Sequence, residues 1–180
     1  MTAKKVKLII LLVLQFVLPA CNSDQLLQQQ GDTEKTNHAD MSLTLQTLRS
    51  SSHCGPSLTS RWISSQQEFD KLLQATQPML GSSSSQSTPA VDFSHYGVLL
   101  VSMGQQRTAG YSIRLIAEQE LQIASETAEV RVQWKQPQPG MMLAQVITHP
   151  CIFIQVPRGE YQLIRVIDEG KKVRGEINVQ

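Results

Sequence analysis

Two cysteines, each close to a histidine, are the residues of this chain best suited to do chemistry. They lie in the segments His53-Cys54 and His149-Pro150-Cys151, which nearly a hundred residues separate. Such residues could bind zinc, provide a nucleophilic thiolate beside a base, or form a disulfide. Adjacent ligands on an extended segment point to opposite sides, and the chain has no C-x₂-C or H-x₃-H pair. The spacing therefore argues against the metal site.

The amino-terminal segment indicates the compartment in which these cysteines lie. Lys4, Lys5 and Lys7 precede an almost wholly apolar stretch at residues 8–18. This stretch is shorter than the about 20 apolar residues that a transmembrane helix needs, and its form is typical of a signal peptide. We therefore expect the chain to be exported.

An exported chain meets an oxidising environment, so we expect Cys54 and Cys151 to form a disulfide. The zinc site and the Cys–His nucleophile are the alternatives, although a disulfide would consume the sulfur that both need. No G-x-S-x-G, H-E-x-x-H, P-loop or dinucleotide fingerprint is found in the sequence, and its carboxylates form no persuasive pair. We accordingly expect no catalytic residue, no metal and no small-molecule cofactor, and the chain is predicted not to be an enzyme.

The sequence LPAC, which ends at Cys21, has the form of a lipobox. Its cysteine is needed because the thiol takes a diacylglycerol by thioether linkage before the signal peptide is cut. We expect residues 1–20 to be a lipoprotein signal peptide and acylated Cys21 to anchor the protein to a lipid bilayer. Asn22 follows, rather than the Asp that favours inner-membrane retention, so the expected location is the cell envelope, on the outer membrane facing the periplasm. An ordinary signal peptide with a coincidental cysteine is the alternative.

Residues 21–42 are expected to be the lipidated N-terminus and a flexible tether, since they are rich in Gln, Asp, Asn and Ser and have no sustained apolar period. Removal of residues 1–20 takes three of the 16 basic residues, which leaves 13 against 15 acidic ones and a net charge of about −2. That balance gives no support for a nucleic-acid partner. Residues 43–180 are long enough for a single domain with one core.

The pattern over residues 43–180 predicts a mainly β domain with one short helix, arranged as an antiparallel sandwich or barrel. An S-x-x-E capping box at Ser65, followed by Phe69, Leu72 and Leu73, predicts a helix that ends near Thr76. The final ten residues are expected to be an edge or frayed strand. The other predicted strands cover residues 43–48, 58–63, 98–102, 111–118, 121–124, 128–134, 142–148, 152–156 and 161–167.

Residues 91–113 are the stretch around which we expect the domain to be built. A turn signal, VDFS, precedes the apolar run at residues 98–102, and a polar loop bounded by Gly104 and Gly110 leads to a second strand at Tyr111. Two β-rich runs joined in this way predict a hairpin with a long loop. Both glycines lie where a positive φ or a close backbone approach would be needed.

The sequence of these elements carries a resemblance to a known family. VDFS, the apolar strand, the TAGYSI sequence at residues 108–113 and the PGMM loop at residues 139–142 resemble the C-terminal domain of the PrcB family over roughly residues 90–157. These bacterial lipoproteins are named for a subunit of a surface protease complex. The resemblance implies a binding or accessory module in the cell envelope, with a protein partner such as an envelope protease, and implies no particular reaction.

The expected binding surface consists of the loops at residues 105–111 and 136–142, because loops on a rigid sheet often carry function. TAGY also resembles the Thr-Thr-Gly-Tyr loop of chagasin-like cysteine protease inhibitors, although Gln106-Arg107 replaces the Asn-Pro that precedes it there. Protease inhibition is therefore the alternative function, and a purely structural envelope lipoprotein is a third. The candidate partner-binding residues are Arg107, Thr108, Gly110, Tyr111, Gly140 and Met141.

Overall fold

The structure, a computed structural model, describes residues 43–76, 88–116 and 120–179. The predicted signal peptide, Cys21 and the tether lie outside these residues and stay predictions. The described residues form nine strands and one helix: β1 (Gln46–Ser51), β2 (Arg61–Ile63), α1 (Gln66–Ala75), β3 (Tyr96–Ser102), β4 (Ser112–Leu115), β5 (Gln122–Ala124), β6 (Thr127–Lys135), β7 (Cys151–Pro157), β8 (Leu163–Asp168) and β9 (Val173–Asn178).

The strands form two sheets. The first sheet has the order β1-β7-β3-β2, and all its pairs are antiparallel. The second has the order β4-β6-β8-β9, with β5 also paired to β6, and its β6–β8 pair is parallel. The prediction of a mainly β sandwich with one short helix is thus confirmed, while one sheet is mixed and the sheets do not close into a barrel.

The central strands of the first sheet, β3 and β7, are buried on both faces, which explains the unbroken apolar run of β3. Leu99 and Val101 belong to the core cluster that they share with the second sheet. Val98 and Leu100 point the other way and join a second cluster with residues of α1. Side chains alternate between the faces of a strand, so a strand covered on both sides is apolar at every position.

The predicted helix is confirmed, including its amino-terminal cap. The Ser65 hydroxyl accepts a hydrogen bond from the Glu68 backbone N–H at 3.3 Å, which satisfies one of the N–H groups that lack a helical acceptor. Phe69 and Leu73 are buried against the first sheet, and the Phe69 ring lies 5.6 Å from that of Phe153. The apolar stripe of this helix therefore serves core packing.

The predicted hairpin at residues 91–113 is wrong. β3 pairs with β2 and β7 in the first sheet, whereas β4 pairs with β6 in the second, so the intervening loop crosses between the sheets. Both hydrogen-bonding edges of β3 are occupied, one by β2 and the other by β7, so no edge is left for β4. In β4 only Ile113 is buried and Arg114 is exposed, as suits the edge of a sheet with one solvated face.

The strand predicted at residues 142–148 is also wrong. This segment is irregular, and its strand pairing among the described residues is limited to one isolated bridge, which joins Gln106 to Thr148. Several of its apolar side chains are exposed, so they provide no buried face to fix a register. The backbone of the segment bonds instead to the loop that follows β3.

Candidate functional site

The loop from β3 to β4 and the segment from β6 to β7 are joined by backbone hydrogen bonds. Gln106 and Thr148 exchange N–H···O bonds of 2.8 and 2.9 Å, and the Ala109 N–H donates to the Ala144 carbonyl at 3.0 Å. The Thr148 hydroxyl donates to the Thr108 carbonyl at 3.3 Å. We call residues 103–111 and 136–150 together the loop surface. The two loops that the sequence predicted as one binding surface are therefore neighbours.

Gly110 occupies the point where the two loops touch. Its φ of +93° lies in the region that favours glycine, as predicted. A Cβ at this position would lie 3.2 Å from Cγ of Pro137 and 3.5 Å from Cδ2 of Leu143. Both the backbone conformation and the close approach therefore require a glycine here. Gly104, the other glycine of this loop, also has the positive φ that the sequence predicted.

The candidate residues of the first loop differ in exposure. Arg107 is exposed, whereas Thr108 and Tyr111 are half-buried. Tyr111 directly precedes β4 of the second sheet. Arg107 is thus the side chain of this loop most open to a partner.

The second loop exposes apolar side chains. Gly140 lies at its tip with open space around it, Met141 is 56 % exposed and Met142 is fully exposed. Val146 and Ile147, which the sequence had placed in a strand, are 43 % and 55 % exposed. Monomeric proteins rarely leave a sizeable apolar patch in water unless it binds something.

A groove with a volume of about 750 Å³ lies beside the loop surface. One end of β6 forms part of its lining, together with the start of the segment that leads towards β7. Exposed charges from β4, β6 and the β8–β9 turn stand around it. The lining residues are Gly110, Arg114, Gln133, Trp134, Lys135, Gln136, Pro137, Gln138, Met141, Leu143 and Glu169.

Glu169 of the β8–β9 turn and Arg174 of β9 contact Trp134 at the groove. The Trp134 backbone N–H donates to the Glu169 carboxylate at 3.0 Å, and the Arg174 guanidinium lies 5.0 Å from the centre of the indole ring. Arg174 also pairs with the buried Asp168 at 2.6 Å. The backbone N–H of Lys172 is the main cause that lowers the pKa of Asp168, with further contributions from Arg174. The turn is therefore held by an ionised carboxylate.

The two cysteines are bonded to each other. Cys54 and Cys151 are buried, their Cα atoms lie 6.0 Å apart and the disulfide closes a separation of 97 residues. The predicted disulfide is confirmed, and neither sulfur is available as a metal ligand or nucleophile. The described part of the chain also contains no group of three or more His, Cys, Asp or Glu residues that could hold a metal.

A contact between Asp92, Ser94 and His95 has the composition of a catalytic triad but not its geometry. Nδ1 of His95 lies 2.7 Å from the Asp92 carboxylate and 3.0 Å from the Ser94 hydroxyl, so the same ring nitrogen faces both groups. In a triad, one nitrogen faces the acid and the other faces the nucleophile. Hydrogen bonds from Ser94 and His95 lower the pKa of Asp92 to about 2. The Ser94 N–H also donates to the Asp92 carboxylate, so the cluster is an Asx turn within the VDFS turn that the sequence predicted before β3.

Fold and surface together define a two-sheet β domain that presents two bonded loops and an adjoining groove. Residues 98–157 match the family model described as PrcB C-terminal, which confirms the resemblance. The match runs from β3 to β7 and includes the whole loop surface. Comparisons with curated proteins and with solved structures found no match. Within the described residues, no helix has the length and apolar character required to cross a membrane.

The groove is the part of the site that sequence reasoning missed. Arg114 and Trp134 lie in predicted strands, whereas no role is predicted for Lys135 or for the turn containing Glu169. These residues lie close together only because particular distant strands pair, and short sequence patterns do not specify that pairing. The exposure of Val146 and Ile147 was missed because the mixture of apolar and polar residues over 142–148 matched a strand pattern.

Proposed function

We propose that this protein is a PrcB-like accessory module that binds another protein through the loop surface. The observation that carries the proposal is the exposure of Met141, Met142, Val146 and Ile147 within one short segment. Apolar and arginine side chains are common interface anchors, and Arg107 on the neighbouring loop adds a cation. A partner that covers this segment would remove its apolar area from water, which is favourable.

The backbone of the loop surface supports this function. The hydrogen bonds between residues 106 and 148 and between 109 and 144 fix the two loops relative to each other. Pre-ordered loops lose less conformational entropy on binding than free loops, so more of the contact energy remains as affinity. The role is one of binding rather than catalysis, and no enzyme activity is part of the proposal.

We further propose that acylated Cys21 anchors the module to the outer membrane, facing the periplasm, and that residues 21–42 tether it. The proposal rests on the basic segment, the apolar stretch and the LPAC sequence at the amino terminus. A partner in the same compartment, such as an envelope protease, would then meet the domain near the membrane. The bound module would hold or help to assemble that partner.

Capture of partners from cross-linked membranes tests the binding function. Arg107→Ala and Met142→Ser change exposed side chains, so each variant should keep the melting temperature of the wild type and capture less partner. Lys71→Ala changes an exposed residue of α1 and is the matched control. Unchanged capture by both loop variants would contradict the proposed surface.

The alternative of a protease inhibitor can be separated in the same experiment. Tyr111 is half-buried and Gly110 packs against Pro137 and Leu143, so this element faces the second loop rather than forming a free tip. That geometry favours a binding surface over a loop inserted into a cleft. If the wild type inhibits a papain-type cysteine protease and Met142→Ser does not capture less partner, inhibition replaces the present proposal.

A further inference from the structure

We propose that the groove beside the loop surface binds an extended protein segment in which acidic and apolar residues alternate. This inference rests on the proposed protein-binding function and names the chemistry of the segment that is bound. The groove's volume of about 750 Å³ lies within the range of about 300–1,000 Å³ that is usual for ligand pockets.

The charges at the groove favour an acidic ligand. Arg114 and Lys135 are exposed lining residues, and among the residues that the structure describes neither forms an ion pair. The Glu169 carboxylate accepts the Trp134 N–H and so already has a donor. Two cations face one carboxylate, which gives the lining a net positive charge.

The remaining lining favours a peptide over a simple anion. Pro137, Met141 and Leu143 provide apolar surface at the side of the second loop. The amide side chains of Gln133, Gln136 and Gln138 each carry donors and an acceptor, as do the N–H and C=O groups of an extended backbone.

The end of β6 provides a backbone edge beside the groove. The pairing of β6 with β8 stops at Val132 and Asp168, while β6 continues to Lys135. At Trp134, the backbone N–H bonds to the Glu169 side chain instead of to a neighbouring strand. A peptide that adds along such an edge gains main-chain hydrogen bonds, and pockets beside the edge select its side chains.

Other anionic partners fit the groove less well. A bilayer surface meets protruding side chains more readily than the lining of a recess. A nucleic acid usually needs several phosphate contacts, whereas the lining offers two cations. The cations lie on the strands and the apolar surface lies on the second loop. Because successive side chains of an extended chain point to opposite sides, a segment in which acidic and apolar residues alternate fits both.

Peptide binding to the full chain, purified in detergent, tests the proposal by fluorescence anisotropy. The probes are labelled peptides of about eight residues, long enough to cross the groove as an extended strand. One alternates Asp with Leu, and its controls alternate Asp with Ser and Lys with Leu. The Asp–Leu peptide should bind most tightly, and its affinity should fall as salt is raised, because exposed charges are screened.

Two sets of charge variants locate the binding at the groove. The pair Arg114→Glu with Lys135→Glu should weaken Asp–Leu binding by about tenfold or more, because each attraction becomes a repulsion. The pair Arg61→Glu with Lys71→Glu makes the same charge change at exposed sites outside the lining and should leave the affinity unchanged. Glu169→Gln keeps an acceptor for the Trp134 N–H but removes the opposing charge, so it should tighten binding.

Three results would overturn the proposal. Equal binding of the Asp–Ser peptide would show a site for anions without apolar selection. Displacement of the Asp–Leu peptide by soluble dihexanoyl phosphatidylglycerol at similar concentration would assign the groove to lipid headgroups. Unchanged affinity both in Glu169→Gln and in the variant that carries Arg114→Glu with Lys135→Glu would place the binding elsewhere. If partner capture still depends on Arg107 and Met142 after any of these results, the proposed function stands and only the groove assignment fails.

Discussion

Gly97 lies beneath the indole ring of Trp62, and we predict that Gly97→Ala destabilises the domain. A Cβ at Gly97 would overlap three atoms of that ring, so the indole has to move. Trp62 is only 9 % exposed, its ring meets that of Tyr161 edge-on at 6.5 Å, and the Arg158 guanidinium lies 5.9 Å from it. The added methyl group therefore disturbs burial, an aromatic pair and a cation–π contact together.

The expected loss follows from these three contributions. Exposure of about 100 Å² of the indole costs about 2.5 kcal/mol at 25 cal/mol per Å². A weakened aromatic pair and cation–π contact add about 1–2 kcal/mol. The free energy of unfolding should thus fall by about 3.5–4.5 kcal/mol, which corresponds to about 10–18 °C in melting temperature for a domain of this size.

Thermal unfolding followed by circular dichroism measures this loss. Gly175→Ala is the matched control, because Gly175 also lies in a strand and a Cβ there would make only an ordinary contact with Ile177 at 3.7 Å. That control should shift the melting temperature by about 3 °C or less. A Gly97→Ala variant as stable as Gly175→Ala would refute the packing of Trp62 described here.

Three further predictions concern the disulfide, the acidic limit of stability and the anchor. Replacement of both Cys54 and Cys151 by Ala should lower the free energy of unfolding by up to about 4.7 kcal/mol in the chain-entropy model, measured by urea denaturation; an unchanged midpoint would count against a stabilising disulfide. Because the folded state lowers the pKa of Asp168, its contribution is present above the unfolded pKa and is lost as the pH falls through the folded value. Asp168→Asn should therefore remove part of the loss of stability below about pH 4, and identical pH profiles for variant and wild type would contradict this. Cys21→Ser should abolish labelling by a fatty-acid probe and membrane fractionation, and normal labelling would exclude acylation at this residue.

Sequence patterns correctly predicted those elements that are stabilised by residues close together in the chain. The cap at Ser65 forms within one turn of helix, and the Asx turn at Asp92 forms within three residues. The positive φ of Gly110 was likewise predictable from a polar loop between two apolar runs. The disulfide was expected from the predicted export signal and the number of cysteines rather than from a local pattern.

Pairing between distant strands could not be predicted in the same way. Adjacent strand candidates β3 and β4 suggested a hairpin, but β3 pairs with β2 and β7 in the first sheet and β4 pairs with β6 in the second. β6 and β8 form a parallel pair, although β7, a strand of the other sheet, lies between them in the sequence. The groove depends on that arrangement, because Glu169 reaches Trp134 only when β8 lies beside β6.

Site-specific photo-cross-linking in intact cells tests the binding function most directly. A benzoylphenylalanine placed at Met142 or Ile147 would report what covers the loop surface, and the same group at Lys71 is the control on the exposed side of α1. We predict one discrete protein adduct at both loop positions and none at Lys71. No adduct at either loop position, or the same adducts at all three, would contradict the proposal that this surface binds a protein partner.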